Sequence, residues 1–126
     1  MSLQFNVVEK TNPITKERKW YATSRLTGKR DLKNLSKDLS EVSSLSAGDV
    51  QNVIVNLIDQ LPKWLMEGNS VKLDGFGSFR LSFSSEGEAV KDDVTADSIK
   101  DIYIIFVPDV AIKERINKTK VHSLVQ

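Results

Sequence analysis

Apolar and polar positions alternate through residues 71–83, and this stretch organises the rest of the chain. The apolar side chains stand at odd positions, with polar ones between them: Val71, Leu73, Phe79, Leu81 and Phe83. A period of two is typical of strands with one buried and one solvated face. At the centre, Gly75-Phe76-Gly77 flanks one aromatic ring with two residues that lack a Cβ. Because glycine permits turns and close approach of another backbone, we expect two short strands with Phe76 at their corner.

A short helix is predicted before this stretch. Asp31 can act as its N-cap, because a carboxylate there accepts hydrogen bonds from amides of the first turn. The apolar face repeats at intervals of three or four residues: Leu32, Leu35, Leu39 and Val42. The serines at 43, 44 and 46 end this helix, since their hydroxyls compete for the backbone.

A longer helix follows from Ser46 to Gly68. Ser46 is expected to cap it, with Asp49 as the partner three residues on, and Gly68 to end it. Pro62 should remove one backbone hydrogen bond and bend the helix. An apolar stripe runs along it: Val50, Val53, Ile54, Leu57, Ile58, Leu61 and Leu65. The stripe is wide enough to serve both an intrachain core and a partner subunit.

The segments on either side are predicted to be mainly β. Residues 3–10 and 18–23 alternate or are β-prone, and Thr11-Asn12-Pro13 between them is a turn signal, so they form a hairpin. Residues 84–100 are polar and acidic, which favours a flexible β-arm or loop. Residues 102–107 form a strand that is apolar on both faces, Pro108 ends it, and residues 110–116 form a short helix. We expect the basic tail beyond it to be frayed.

Composition narrows the possible functions. The chain has no cysteine, which excludes disulfides and thiolate chemistry, and its single histidine, His122, is expected to be solvated in the tail. Neither a phosphate-binding glycine loop nor a helical pair of metal-binding histidines occurs, so we predict no active site, cofactor or metal. Asp92, Asp93 and Asp97 are interpreted as a solvated acidic loop instead of a cation site.

The net charge of +1 hides a polarised distribution. Residues 1–33 contain eight Lys or Arg and three acids, whereas residues 86–97 contain five acids and Lys91 alone. Such a surface can steer a charged partner although the total is near zero. The first residues lack the features of a signal peptide, and no apolar run reaches the length of a bilayer span, so we expect a cytoplasmic protein with no membrane contact.

The order and spacing of these elements resemble the HU/IHF family of bacterial histone-like proteins over residues 31–118. The resemblance is strongest in Leu45-Ser46 followed by the long helix, Gly68, Val71-x-Leu73 and Gly75-Phe76-Gly77-x-Phe79. Phe106-x-Pro108 followed by Ala111-Ile112-Lys113 is similar to the closing segment of that family. The hairpin before Asp31 looks like that of an N-terminally extended, HU-like subgroup.

The resemblance implies an α+β fold. Its parts are two N-terminal helices, a three-stranded antiparallel sheet with a β-arm, and a short C-terminal helix, with the extra β-hairpin in front. Residues 1–30 would then be the hairpin extension, 31–118 the DNA-binding domain and 119–126 a basic tail. The resemblance further implies an intertwined homodimer, whose interface would include Phe76, Phe79, Leu57 and Leu61. An intrachain core position for Phe76 is the alternative.

The resemblance also implies a DNA-binding, nucleoid-associated protein that bends duplex DNA with little sequence specificity, its two arms reaching into the minor groove. The expected DNA-binding residues are Lys72, Arg80, Lys113, Arg115, Lys118, Lys120, Lys29 and Arg30. Trp20 and Tyr21, among the cations of the extension, either stack on nucleic acid or pack the hairpin onto the body.

One departure from the family favours a second hypothesis. The family's arm is rich in arginine and ends in an Arg-Asn-Pro tip, but residues 84–93 here read SSEGEAVKDD. Acids near phosphates raise the electrostatic cost of binding. The alternative is therefore a dimeric, HU-like protein-interaction or structural module that has lost DNA binding because of its acidic arm.

Overall fold

The computed structural model describes residues 2–123, which form six strands and three α-helices. In chain order these are β1 (Ser2–Thr11), β2 (Arg18–Arg25), α1 (Leu32–Glu41), α2 (Ala47–Met66), β3 (Val71–Leu73), β4 (Gly77–Ser85), β5 (Ile99–Pro108), α3 (Val110–Ile116) and β6 (Lys120–Ser123). Two 3₁₀ turns, Lys91–Asp93 and Ala96–Ser98, lie between β4 and β5. The mixed α+β class and the predicted order of helices and strands are confirmed.

Helices α1 and α2 both begin at the predicted caps. The Asp31 carboxylate accepts a hydrogen bond from the Asn34 amide at 3.0 Å, and the Asn34 side-chain oxygen accepts one from the Asp31 amide at 3.2 Å. The Ser46 hydroxyl accepts from the backbone amide three residues later at 3.1 Å. Helix α2 continues through Pro62 to Met66, and the chain then turns away at Gly68, whose φ is +93°.

The body sheet has the strand order β3-β4-β5 and is antiparallel throughout. Its corner is a tight turn in which the Phe76 amide donates to the Leu73 carbonyl at 2.9 Å and Gly75 has a φ of +82°. Asp109 fastens the corner from the far side. Its carboxylate accepts from the Gly75 amide at 3.0 Å, and its own amide donates to the Phe76 carbonyl at 2.9 Å. The same residue is the N-cap of α3.

A second sheet, with the order β2-β1-β6, is built on the predicted hairpin. The turn depends on Asn12, whose side-chain oxygen accepts from the Ile14 amide at 2.9 Å. The expectation of a frayed tail is wrong for Lys120–Ser123, which pairs in parallel with the first residues of β1. The reason is a long-range pairing that supplies backbone hydrogen bonds to both segments. Residues 124–126 of the predicted tail, and Met1, lie outside the described residues.

One copy of the chain buries little apolar surface. Within residues 2–123, the buried apolar side chains are Val50 and Leu65. The accessible surface is 10,929 Å², whereas a compact monomer of this mass exposes roughly 6,700 Å². Much of the apolar stripe on α2 is exposed, including Val53, Leu57 and Ile58. The fold therefore leaves apolar faces that the chain itself does not cover.

Candidate nucleic-acid interface

Strands β3 and β4 have one apolar and one polar face, and their polar face carries the predicted strand cations. Lys72 lies opposite Ser78, and Arg80 lies two residues further along β4. Because paired residues and residues two apart project to the same side of a sheet, Lys72, Ser78 and Arg80 share a face. Phe79 and its partner Phe106 project to the other side. Both cations are exposed.

Lys72 forms an ion pair with Asp74, but its ammonium group remains accessible to ligands. Its Nζ lies 3.9 Å from the nearest carboxylate oxygen of Asp74, and both side chains are mostly exposed. Exposed pairs of this kind contribute only about 0–1 kcal/mol. A phosphate could therefore replace Asp74 at small cost.

A β-bulge adds a third cation, Lys100, to the polar face. Between the pairs Ser82↔Tyr103 and Ser84↔Lys100, strand β5 advances one residue more than β4. The extra residue is accommodated at Asp101, whose φ of +47° is left-handed. Since Ser84 continues the alternation of Arg80 and Ser82, its partner Lys100 is brought to their side. Sequence reasoning missed Lys100, because β5 is apolar on both faces and its alternation gives no sign of a bulge.

The arm beyond the bulge is short and closed by an ordered loop. Strand pairing extends to Ser85↔Ile99, and residues 86–98 close the hairpin. The loop is built around Ser98, which is 2% exposed. Its hydroxyl donates to Glu88 Oε1 at 3.1 Å and accepts from the Thr95 amide at 3.3 Å. The acidic residues of this loop are thus carried at the end of the arm in a defined conformation.

One of these acids faces the new cation directly. Glu86 Oε1 lies 3.1 Å from Lys100 Nζ, and the Glu86 amide donates to the Ser98 carbonyl at 2.7 Å. The charge of Lys100 is therefore partly compensated from within the arm. Because both side chains are about half exposed, the pair is screened by salt and open to competition from an anion.

The other predicted DNA-binding residues lie in two further places. Lys29 and Arg30 line a hollow before α1, and Arg30 Nη1 lies 3.8 Å from Asp38 Oδ2. A larger group lies at α3, the turn after it and β6: Lys113, Arg115, Lys118 and Lys120. Arg115 and Lys118 line a hollow with the first residues of β1.

Two of the predicted interface residues, Phe76 and Phe79, form an aromatic cluster with Phe106. The Phe76 ring centroid lies 5.2 Å from that of Phe106 and 6.4 Å from that of Phe79, and the latter two are 4.8 Å apart. Phe76 and Leu57 are each 44% exposed, while Phe79 and Leu61 are half-buried. Phe76 is therefore neither a buried intrachain core residue nor a free surface side chain.

Residues 2–123 contain no cluster of three or more His, Cys, Asp or Glu side chains arranged to hold a metal ion. In the same range, no helix has both the length and the apolarity needed to cross a bilayer.

A protein-family model described as an HU domain fused to wHTH, Ig, or Glycine-rich motif matches residues 1–123. The integration host factor subunit alpha of Haemophilus influenzae is 35% identical over 85 residues, which are 65% of this chain and 88% of that protein. The same subunit of Mannheimia succiniciproducens is 28% identical over 91 residues, or 71% of this chain and 93% of that protein.

Two solved structures share the fold. A crystal structure from Bacteroides vulgatus superposes with a TM-score of 0.68 at 19% identity, over 98% of this chain. The chain spans about half of that protein, 48% of its length. The Anabaena HU–DNA cocrystal structure superposes with a TM-score of 0.56 at 18% identity, over 71% of this chain and 99% of that one. Because the superposition covers 98% of this chain, it includes the N-terminal hairpin, which the Bacteroides protein therefore shares.

Proposed function

The chain belongs to the family of HU domains fused to wHTH, Ig or glycine-rich motifs, and from this premise we propose that it binds duplex DNA as a nucleoid-associated homodimer. Its 35%-identical relative is a subunit of integration host factor, and the Anabaena HU of the same fold was crystallised with DNA. We place the protein in the cytoplasm, on the nucleoid.

The observation that carries the proposal is the common face of Lys72, Arg80 and Lys100. Strand pairing and the bulge hold these cations on one side of the sheet. Long, exposed cations of this kind neutralise backbone phosphates, which are the same at every base pair. Binding should therefore show little sequence specificity and a strong dependence on salt.

The uncovered apolar surface supports a homodimer. The protomer exposes about 4,200 Å² more than expected for a compact chain of its mass. Obligate interfaces bury about 2,000–5,000 Å² or more in total, which is about 1,000–2,500 Å² per protomer, so a second copy would cover a substantial part of this excess. We propose that Phe76, Phe79, Leu57 and Leu61 meet their counterparts there, bringing two polar sheet faces to one side of the dimer.

The acidic loop shapes how this dimer would hold DNA. Glu86 competes with phosphates for Lys100, and the remaining acids of residues 86–98 repel the backbone. We propose that DNA bends across the sheet faces, with the arms flanking the duplex and adding little affinity. The affinity for DNA should accordingly be lower than that of a protein of this fold whose arms are rich in arginine.

A fluorescence titration tests the proposal. Bent and linear duplexes are titrated with wild type, with the double variant K72Q/R80Q, and with R18Q/K63Q, which removes the same charge from Arg18, paired with Glu9, and Lys63, paired with Asp59. The slope of log K against log salt should fall by about 1.8 per protomer in K72Q/R80Q and stay closer to wild type in the control. Folded wild type that binds neither duplex at low salt would refute DNA binding.

The defined acidic loop favours a second candidate, a dimeric protein-interaction or structural module without DNA binding. Ser98 orients Glu88, and Lys100 orients Glu86, so these two carboxylates have defined positions on the surface. If this is the function, E86Q/E88Q/D92N/D93N should lose a partner that wild type retains in a pull-down, while DNA binding stays absent in both. Retention of that partner by the variant would count against the module.

A further inference from the structure

The second sheet, β2-β1-β6, has two chemically distinct faces. Register places the pairs Glu9↔Trp20 and Val7↔Ala22 on one side and Lys10↔Lys19 and Val8↔Tyr21 on the other. The first face is largely apolar: Leu3, Phe5, Val7, Trp20, Ala22 and Val121. Trp20, at 68% exposed, is the largest of these side chains. Among the described residues, this face has a single ion pair, between Arg18 Nε and Glu9 Oε1 at 3.6 Å.

The second face is cationic at both ends and neutral in the middle. Lys10 and Lys19 are opposite each other at one end. At the other end, Arg25 of β2 lies opposite Gln4, and Lys120 of β6 lies opposite Ser2. Neutral side chains lie between them: Gln4, Asn6, Val8, Tyr21, Thr23 and His122. Among the strand positions that the structure describes on this face, no side chain is acidic.

The Lys10–Lys19 pair is an unfavourable arrangement for the protein alone. Like charges directly opposite each other across an antiparallel pair destabilise it. Lys10 Nζ lies 5.6 Å from the centroid of the Tyr21 ring, a cation–π contact that offsets part of this cost. Glu17 in the turn lines the same hollow as the two lysines. A bound anion would remove the repulsion.

The spacing of the cations fits an extended polyanion better than a single phosphate. Lys10 and the Gln4↔Arg25 pair are six positions apart along β1, which corresponds to about 20 Å. Along one strand of duplex DNA the phosphate charges follow one another about every 3.4 Å of the helix axis, so a single phosphate backbone can meet both ends. The neutral polar side chains between them can hydrogen-bond to sugar and phosphate oxygens.

We propose that this cationic face, defined by Lys10, Lys19, Arg25 and Lys120, is a second surface that binds the phosphate backbone of duplex DNA. The inference rests on the proposed DNA-binding function and adds to it a surface outside residues 31–118. It also assigns a use to the two faces of the extension. The cations contact DNA, and Trp20 projects to the opposite, apolar side, where it does not stack on bases.

Salt-dependent titration of a duplex with K10Q/K19Q tests this surface, with the charge-matched R18Q/K63Q as control. Arg18 is on the same hairpin but projects to the apolar face. The slope of log K against log salt should fall by about 1.8 per protomer in K10Q/K19Q, and combining it with K72Q/R80Q should produce an additive fall. Because the lysines repel each other, the melting temperature of K10Q/K19Q should be no lower than that of wild type.

The outcomes separate the two proposals. Wild type that binds no DNA refutes the proposed function and this surface with it. Wild type that binds DNA with a slope unchanged by K10Q/K19Q, but reduced by K72Q/R80Q, overturns the second surface alone. A variant K10Q/K19Q that keeps full DNA affinity but loses binding to poly-glutamate would identify an acidic polypeptide as the partner and would also overturn it.

Discussion

The backbone of Gly77 lies directly against the ring of Phe106. A Cβ added at Gly77 would be 2.5 Å from Cε1 of that ring and 2.6 Å from the carbonyl oxygen of Val107. Such separations are far shorter than any ordinary van der Waals contact. The second glycine of Gly75-Phe76-Gly77 is thus required by close strand packing, whereas Gly75 is required by its left-handed φ.

We expect Gly77→Ala to destabilise the fold by about 1–3 kcal/mol, because the methyl group must displace both the Phe106 ring and the β5 backbone. Chemical denaturation monitored by circular dichroism measures the change. Gly87→Ala is the matched control, since nothing lies within 4 Å of a Cβ there. Equal stability of the two variants would contradict the packing of Phe106 on Gly77.

The features that sequence reasoning predicted are those specified by neighbouring residues. The caps at Asp31 and Ser46, the turn at Asn12 and the end of α2 at Gly68 each depend on side chains within a few positions. Their hydrogen bonds or glycine φ angles can be anticipated from spacing alone. The shared face of Lys72 and Arg80 was predictable in the same way, because apolar and polar residues alternate in residues 71–74 and again in residues 78–83.

The features that it missed depend on distant residues. Strand β6 forms because residues 120–123 meet β1, more than a hundred positions away, and nothing in the four residues signals it. The position of Lys100 depends on one extra residue at Asp101. The apolar stripe of α2 was identified, but how little of it one chain buries became apparent only in the folded protomer.

Phe76→Ala is expected to weaken dimerisation together with folding. Truncating a buried phenylalanine costs about 3–5 kcal/mol, and Phe76, which is 44% exposed in one protomer, would be covered further in the proposed dimer. Analytical ultracentrifugation over a concentration series should show the variant dissociating where wild type is dimeric. Ile14→Ala, at a turn residue that is 89% exposed, controls for loss of apolar surface. A Phe76→Ala protein that stays dimeric at unchanged stability would exclude this role.

Ser98→Ala should loosen the acidic loop without unfolding the body. The variant removes the donor to Glu88 and the acceptor for the Thr95 amide, and an intramolecular hydrogen bond contributes about 0.5–1.5 kcal/mol. Amide hydrogen exchange should therefore accelerate in residues 86–98, while α2 keeps its protection. Ser85→Ala is a suitable control, because its hydroxyl bonds only to the adjacent residue's carbonyl and is exposed. Unchanged exchange in the loop would show that Ser98 does not organise it.

The bulge at Asp101 is expected to tolerate glycine and to reject valine. With a φ of +47°, Asp101 occupies a region that glycine enters freely and β-branched residues resist. Asp101→Gly should therefore leave the free energy of unfolding within about 1 kcal/mol of wild type, and Asp101→Val should lower it by about 1–3 kcal/mol. Because the bulge brings Lys100 to the face of Arg80, Asp101→Val should also weaken DNA binding, and Asp101→Gly should preserve it. Chemical denaturation measures the stability of each variant, and salt-dependent titration measures its affinity for DNA. If the glycine and valine variants have the same stability and the same affinity, the bulge does not position Lys100.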